Sequence, residues 1–203
     1  MKIICIGRNY VDHIRELNNA IPTSPVFFLK PDSALLIRNR PFYYPSFSDA
    51  IHYEVELVLK ICKVGKNIQK RFAHTYFDEI GIGLDMTARD LQDSAKQKGL
   101  PWAIAKGFDQ SAPIGTFLSK ENFVDLKNIN FHLDLNGNTV QQGNSSLMIY
   151  GFDEIIEYIS RFMTLRTGDY IFTGTPAGVG PVMVGDKLEA YIGEEKLLSC
   201  QIK

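Results

Sequence analysis

His52-Tyr53-Glu54-Val55-Glu56-Leu57-Val58-Leu59 sets two carboxylates at the mouth of an otherwise apolar run. Side chains two apart on a strand share a face, so Glu54 and Glu56 point together while Val55, Leu57 and Leu59 take the other side. Ionised carboxylates on a buried strand are costly unless they are solvated, protonated or neutralised by a cation. An edge strand with both Glu side chains in water meets that condition, and so does a divalent metal. A further acid in the same setting favours the metal. Gly81-Ile82-Gly83-Leu84-Asp85 ends another short apolar strand on Asp85, which adds one more hard oxygen ligand.

The rest of the composition narrows the class. A chain of 203 residues suits one domain with a sizeable core, and 45% hydrophobic with 22% charged residues is ordinary for a water-soluble globular protein. The formal net charge of -1 gives no electrostatic basis for binding nucleic acid or an anionic membrane, so the expected partner is a small molecule. No run reaches the roughly 18 to 20 apolar residues of a membrane span, and the N-terminus lacks a signal-peptide pattern, so the expected location is the cytoplasm. Cys5, Cys62 and Cys200 are far apart and outside any C-x-x-C spacing, which reads as reduced structural thiols.

Along the chain, Lys2-Ile3-Ile4-Cys5-Ile6-Gly7 reads as a strand, followed by a short polar helix over residues 11–17. His13 and Glu16 share a face of that helix, as a solvated pair or as a base oriented by a carboxylate. Residues 18–25 read as a loop or flap leading to Val26-Phe27-Phe28-Leu29-Lys30-Pro31, whose Lys30 marks a strand end and points either to solvent or into a pocket. Residues 69–77 are expected to hold a short helix. After Asp85, Thr87 is the expected cap of a helix that carries Arg89 and Gln92 on one face. Lys106 lies among apolar and small residues, either snorkelling to water or held by a buried anion.

Asn136-Gly137 predicts a tight hairpin turn, with His132 on its exposed face. Residues 153–162 form an amphipathic helix with Ile155, Ile156, Ile159 and Phe162 toward the core. Gly174-Thr175-Pro176-Ala177-Gly178-Val179-Gly180 is a turn whose backbone N–H groups can hold an anion, and it lacks the Gly-Lys-Ser/Thr ending of a nucleotide loop. The tail, residues 187–202, reads as two short strands around Gly193.

Taken together, several motifs resemble the fumarylacetoacetate hydrolase family, and in particular its small acylpyruvase and oxaloacetate decarboxylase members. They are Gly7-Arg8-Asn9-Tyr10 with Asp12, His13 and Glu16; Phe28-Leu29-Lys30-Pro31; His52-x-Glu54-x-Glu56-Leu57; and Leu84-Asp85-Met86-Thr87-Ala88-Arg89-Asp90. Gly99-Leu100-Pro101-Trp102 with Lys106, Asn136-Gly137 with Gln142, and Thr173-Gly174-Thr175-Pro176 continue the series. The resemblance implies an α+β, mostly β architecture, a mixed β-sandwich roll with a few short helices. It implies one catalytic domain over residues 1–203, a mobile lid near residues 10–25, and a homodimer.

It also implies Mg²⁺ or Mn²⁺ held by Glu54, Glu56 and Asp85, in keeping with an all-carboxylate ligand set. His13 and Glu16 would be the catalytic dyad, and Lys106, Arg89, Gln92 and Thr175 would surround the substrate oxygens with Lys30 as a further neighbour. The implied reaction is hydrolysis of the C–C bond of an acylpyruvate, a 2,4-dioxo acid, to pyruvate and a carboxylic acid. Decarboxylation or keto–enol tautomerisation of oxaloacetate in the same pocket is the alternative, and a non-catalytic metal-dependent binding module is a third reading. Leu84 stands where many members have Asn, and Ala177 where some close relatives have Lys. Full-length fumarylacetoacetases carry an extra N-terminal domain, so fumarylacetoacetate itself is not the expected substrate.

Overall fold

In the computed structural model, which describes residues 1–17 and 20–203, the run after Glu54 forms a strand buried on both faces. The strands in chain order are β1 (Ile3–Gly7), β2 (Val26–Lys30), β3 (Leu35–Leu36), β4 (Ile51–Tyr53), β5 (Val55–Ile61), β6 (Phe77–Leu84) and β7 (Thr87–Ala88). They continue as β8 (Ala112–Ser119), β9 (Asn130–Leu135), β10 (Asn138–Asn144), β11 (Tyr170–Phe172), β12 (Gly180–Pro181), β13 (Lys187–Ile192) and β14 (Glu195–Gln201). The helices are α1 (Val11–Glu16), α2 (Lys70–Ala73), α3 (Arg89–Lys98), α4 (Ala103–Lys106) and α5 (Phe152–Phe162).

The largest sheet has the order β2-β1-β11-β5-β6-β8-β3 and is mixed, since β1 pairs parallel with β11 and β3 with β8 while its other pairs are antiparallel. A four-stranded antiparallel sheet, β10-β9-β13-β14, packs against it, and a small third sheet joins β12, β4 and β7. This is the expected mixed, mostly β roll with short helices.

Alternation along β5 sorts its side chains as expected. Val55, Leu57, Leu59 and Ile61 enter the main apolar core with Ile80, Ile82 and Leu84 of β6 and Ile155, Ile156 and Ile159 of α5. Glu54, Glu56 and Val58 take the opposite face, where Val58 joins Ile3, Cys5 and Phe172 in a second cluster. The carboxylates therefore sit on a rigid support with packed side chains behind it. Gly83 of β6 sits under the Phe172 ring, where an added Cβ would lie 2.7 Å from a ring carbon.

Several local expectations change. The helix expected over residues 69–77 is only α2, because Phe77, Asp78 and Glu79 already belong to β6. Ala88 rather than Thr87 caps α3, since the Thr87 hydroxyl bonds Asp85 O at 3.0 Å. Phe162 is exposed at the end of α5, packed against Phe27 and Tyr158. His132 is half-buried and stacks on Tyr191. Cys5 and Cys200 are buried free thiols and Cys62 is a half-buried one. Of the loop expected over residues 18–25, Asn18 and Asn19 lie outside the described residues.

Candidate active site

The pairing of β5 with β6 assembles the acidic cluster. Val55 is opposite Leu84, so Glu54 and Glu56 flank the position where β6 delivers Asp85, and the Asp85 N–H donates to Glu54 O at 2.8 Å. One ligand atom from each of Glu54, Glu56 and Asp85 lies within 4.8 Å of the others, and all three residues are at most 5% exposed. The chain leaves β4 at Glu54, and the Val55 N–H donates to Gln141 Oε1 at 2.9 Å instead of to a strand.

Three buried cations gather around two of the acids, Glu54 and Asp85. Lys106, at the end of α4, donates to Glu54 Oε2 at 2.8 Å, Asp85 Oδ2 at 2.7 Å and Thr87 Oγ1 at 2.6 Å. Arg89, in the first turn of α3, bonds Glu54 Oε1 and donates to Gln92 Oε1 at 2.6 Å. Lys30 stands behind Asp85, with its Nζ 2.8 Å from Asp85 Oδ1, and its protons go to Met86 O at 3.2 Å, Ser111 O at 3.0 Å and Lys106 O. Asp85 Oδ1 therefore receives a charge contact but no hydrogen bond, and its lone pairs remain open. No ammonium or guanidinium among the described residues reaches Glu56, whose Oε2 accepts only the Gly174 N–H at 2.6 Å.

Titration follows this unequal sharing. Burial raises the Glu54 carboxyl, but the Lys106 and Arg89 charges outweigh it and hold it well below the usual carboxylate range. Burial, then the Asp85 and Glu54 charges, push the Glu56 carboxyl well above that range. Burial lowers Lys106, but Asp85 and Glu54 more than compensate and its ammonium is held above the ordinary value. The donor set fits a hard divalent ion: three oxygen ligands, one with open lone pairs and one short of positive charge, on a packed strand pair.

The dyad arrives from the other side. His13 Nδ1 lies 3.2 Å from Glu16 Oε2 on α1, and Glu16 Oε1 accepts the Gly178 N–H at 3.0 Å. Gly178 has φ +100°, and an added Cβ there would lie 2.4 Å from Val140 O, so the turn that holds Glu16 requires glycine. With Nδ1 on Glu16, Nε2 is the nitrogen available for proton transfer. Thr175 is fixed by Gln141, whose Nε2 donates to Thr175 Oγ1 and Pro176 O, each at 2.9 Å.

A cavity of about 40 Å³ is lined by the three acids together with His13, Arg89, Gln92, Lys106 and Thr175. Lys30 does not line it. Instead it supports Asp85 from behind, with its protons on the carbonyls of Met86, Lys106 and Ser111. The reading from sequence quoted Arg8 and Trp102 in motifs without giving them a site role and missed Lys96, although all three line the cavity, and it missed Gln141, which anchors the rim. Gln142, named in the resemblance, is exposed. A bulge between Thr139 and Gln141 shifts the strand's alternation and turns Gln141 inward.

A mixed β roll that carries a buried two-glutamate, one-aspartate cluster in one cavity with His13 is the class of protein that fold and site define. The family model described as fumarylacetoacetate hydrolase C-terminal matches residues 2–202. The mitochondrial oxaloacetate tautomerase of Bos taurus is 44% identical over 94% of this chain and 86% of that protein. The mitochondrial oxaloacetate decarboxylase of Dictyostelium discoideum is 44% identical over 94% of this chain and 88% of its own length. The crystal structure of fumarylpyruvate hydrolase from Pseudomonas aeruginosa, in complex with Mn²⁺ and pyruvate, superposes with a TM-score of 0.93 at 36% identity, covering 100% of this chain and 89% of that one. This chain belongs to the fumarylacetoacetate hydrolase family.

Proposed function

We propose that the protein is a divalent-metal-dependent hydrolase that cleaves an acylpyruvate to pyruvate and a carboxylic acid. The observation that carries this is the convergence of Glu54, Glu56 and Asp85 with Lys106 among them and His13 lining the same cavity. Mg²⁺ or Mn²⁺ suits the all-oxygen donor set, and when bound it supplies Lewis acidity and positive charge toward the oxygens of a 2-oxo acid.

The chain's own residues account for the remaining steps. Gln92, Arg89 and Thr175 bind and orient the substrate's oxygens in a cavity floored by buried charge. His13 Nε2 takes a proton from water, whose oxygen attacks the C4 carbonyl carbon. The C3–C4 bond then breaks, and its electron pair stays with C3 as the enolate of pyruvate. The enolate's negative charge faces the Lys106 ammonium, and the imidazolium returns its proton to C3. Glu16 keeps the ring oriented through its contact with Nδ1.

A second reading, keto–enol tautomerisation or decarboxylation of oxaloacetate, is favoured by the activities for which the tautomerase and decarboxylase relatives are named. It uses the same enolate and needs no attacking water. His13→Ala tests the order of the two readings: acetylpyruvate hydrolysis is expected to fall by about 10²–10⁴ in kcat while oxaloacetate decarboxylation is less affected. Equal loss of both would remove the water-activating role. Wild-type turnover that persists at full rate in excess EDTA would remove the metal.

Homodimer formation and cytoplasmic residence belong to the same proposal. Sedimentation velocity tests the first. Cell fractionation tests the second, which the mitochondrial naming of the relatives makes a real choice.

A further inference from the structure

Of the cations around the cavity, Lys106 and Arg89 are committed to Glu54 and Asp85, and Lys30 is sealed behind Asp85. Arg8 and Lys96 also line the cavity, and neither touches the acids. Lys96 projects from the last turn of α3, three to four residues beyond Gln92 and Asp93 on a helix whose Arg89 and Gln92 already face the site. Its only ion pair among the described residues is with Asp93 at 3.5 Å, one turn back, where Asp93 is more than half exposed. Such a pair contributes little. Lys96 also lines a groove with Glu16, His52, Asp93 and Val179 that shares Leu17, Arg89 and Lys96 with the cavity. It therefore stands where a substrate's far end would leave the buried head site for solvent.

The residues lining the cavity and the groove together include four cations, Arg8, Arg89, Lys96 and Lys106, and five carboxylates, Glu16, Glu54, Glu56, Asp85 and Asp93, so Lys96 is marked by its place and not by a net charge. A 2-oxo acid with a second carboxylate at its far end would bring that group to the Lys96 ammonium, whereas one with a single carboxylate would leave Lys96 with only its exposed Asp93 partner. Resting on the 2-oxo acid reading above, we propose that Lys96 is a specificity residue that receives the distal carboxylate of a dicarboxylic 2-oxo acid. The assignment covers substrates for either reaction, since a dicarboxylic acylpyruvate and a four-carbon 2-oxo dicarboxylate both present that group.

The test compares two five-carbon ligands that differ at the far end, 2-oxoglutarate and 2-oxovalerate, by calorimetric binding to the full Mn²⁺-loaded chain. Wild-type protein is expected to prefer 2-oxoglutarate. Lys96→Gln is expected to weaken 2-oxoglutarate by about tenfold, the scale of one partly buried charge-assisted hydrogen bond, and to change 2-oxovalerate by less than about twofold. Lys96→Arg should restore most of the preference. Equal effects on both ligands, or no effect, overturn the proposal and leave the 2-oxo acid reading standing. Selective loss in Arg8→Gln but not in Lys96→Gln also overturns it, moving the role across the cavity. Wild-type protein that binds neither ligand overturns the 2-oxo acid reading and this proposal together.

Discussion

Lys30 shows how a residue can be legible in type and illegible in role. Its position at a strand end before Pro31 is plain in the sequence, but the partners that fix it, Met86, Lys106 and Ser111, are 56 to 81 residues away. No local pattern reports contacts at that range. By contrast, His13 and Glu16 needed only a helix to meet, and Glu54 and Glu56 only a strand, so both pairs were readable from spacing. Lys30 also makes a strong stability prediction. Lys30→Met removes the ammonium and leaves the Asp85 carboxylate and three carbonyls buried beside an apolar side chain. Loss of one partner from a buried ion pair costs about 3–5 kcal/mol, so the urea midpoint should fall correspondingly with little change in slope. An unchanged midpoint would mean that water replaces the ammonium.

Among the elements, α1 and α3 carry most of the proposed chemistry, and each depends on a contact outside itself. Helix α1 is short and has no side-chain cap, so its placement over the cavity relies on contacts such as the Glu16 bond to the Gly178 N–H. Gly178→Ala forces that turn away from Val140 O. Because a displacement of about 1 Å can cost up to 10²-fold, kcat should drop by about one to two orders of magnitude while Mn²⁺ affinity holds. Loss of Mn²⁺ affinity as well would show that the turn supports the metal site rather than the dyad.

Helix α3 is fastened at its start by Asp90, which accepts from Ser48 Oγ at 2.6 Å, the Leu91 N–H at 2.8 Å and the Asp49 N–H at 3.1 Å. Partial burial raises this carboxyl, but the hydrogen bonds outweigh it and its value in the folded protein lies below the ordinary one. A depressed carboxyl contributes stability above the unfolded value, near 3.9, and loses it as pH falls through the folded value. Asp90→Asn should therefore lower Tm at neutral pH and flatten the acid limb of a Tm–pH profile. An acid limb of unchanged slope would remove Asp90 from that transition. The sequence placed Asp90 in the first turn of α3 but gave no sign of Ser48 and Asp49, which reach it from a loop more than 40 residues earlier.

At the scale of the whole molecule, the roll brings three acids and three cations to one buried point, so binding of an ion there would be coupled to folding. Lys106, Arg89 and Lys30 balance the acids in charge, and this lets the chain fold without an ion; a cluster of three bare carboxylates would carry several kcal/mol of repulsion and desolvation. The balance is uneven, because Glu56 has only a backbone N–H, and that leaves free energy for an ion to recover. The ligands lie at the end of the β5–β6 pair in the middle of the largest sheet, so an ion there ties together strands that separate only on global unfolding.

An ion that binds only the folded state at 100 times its Kd adds about 2.7 kcal/mol, which for a chain of this length raises Tm by roughly 5–10 °C. Mn²⁺ titrated into metal-stripped wild-type protein should show that rise. Glu56→Gln keeps the volume and the Gly174 contact but removes a carboxyl that burial already holds toward its uncharged form, so its metal-free form should melt no lower than wild type and its response to Mn²⁺ should be largely lost. A variant that melts well below wild type without metal would assign Glu56 a structural role that the single hydrogen bond does not explain. A wild-type protein whose Tm does not move with Mn²⁺ would end the metal reading of the cluster altogether.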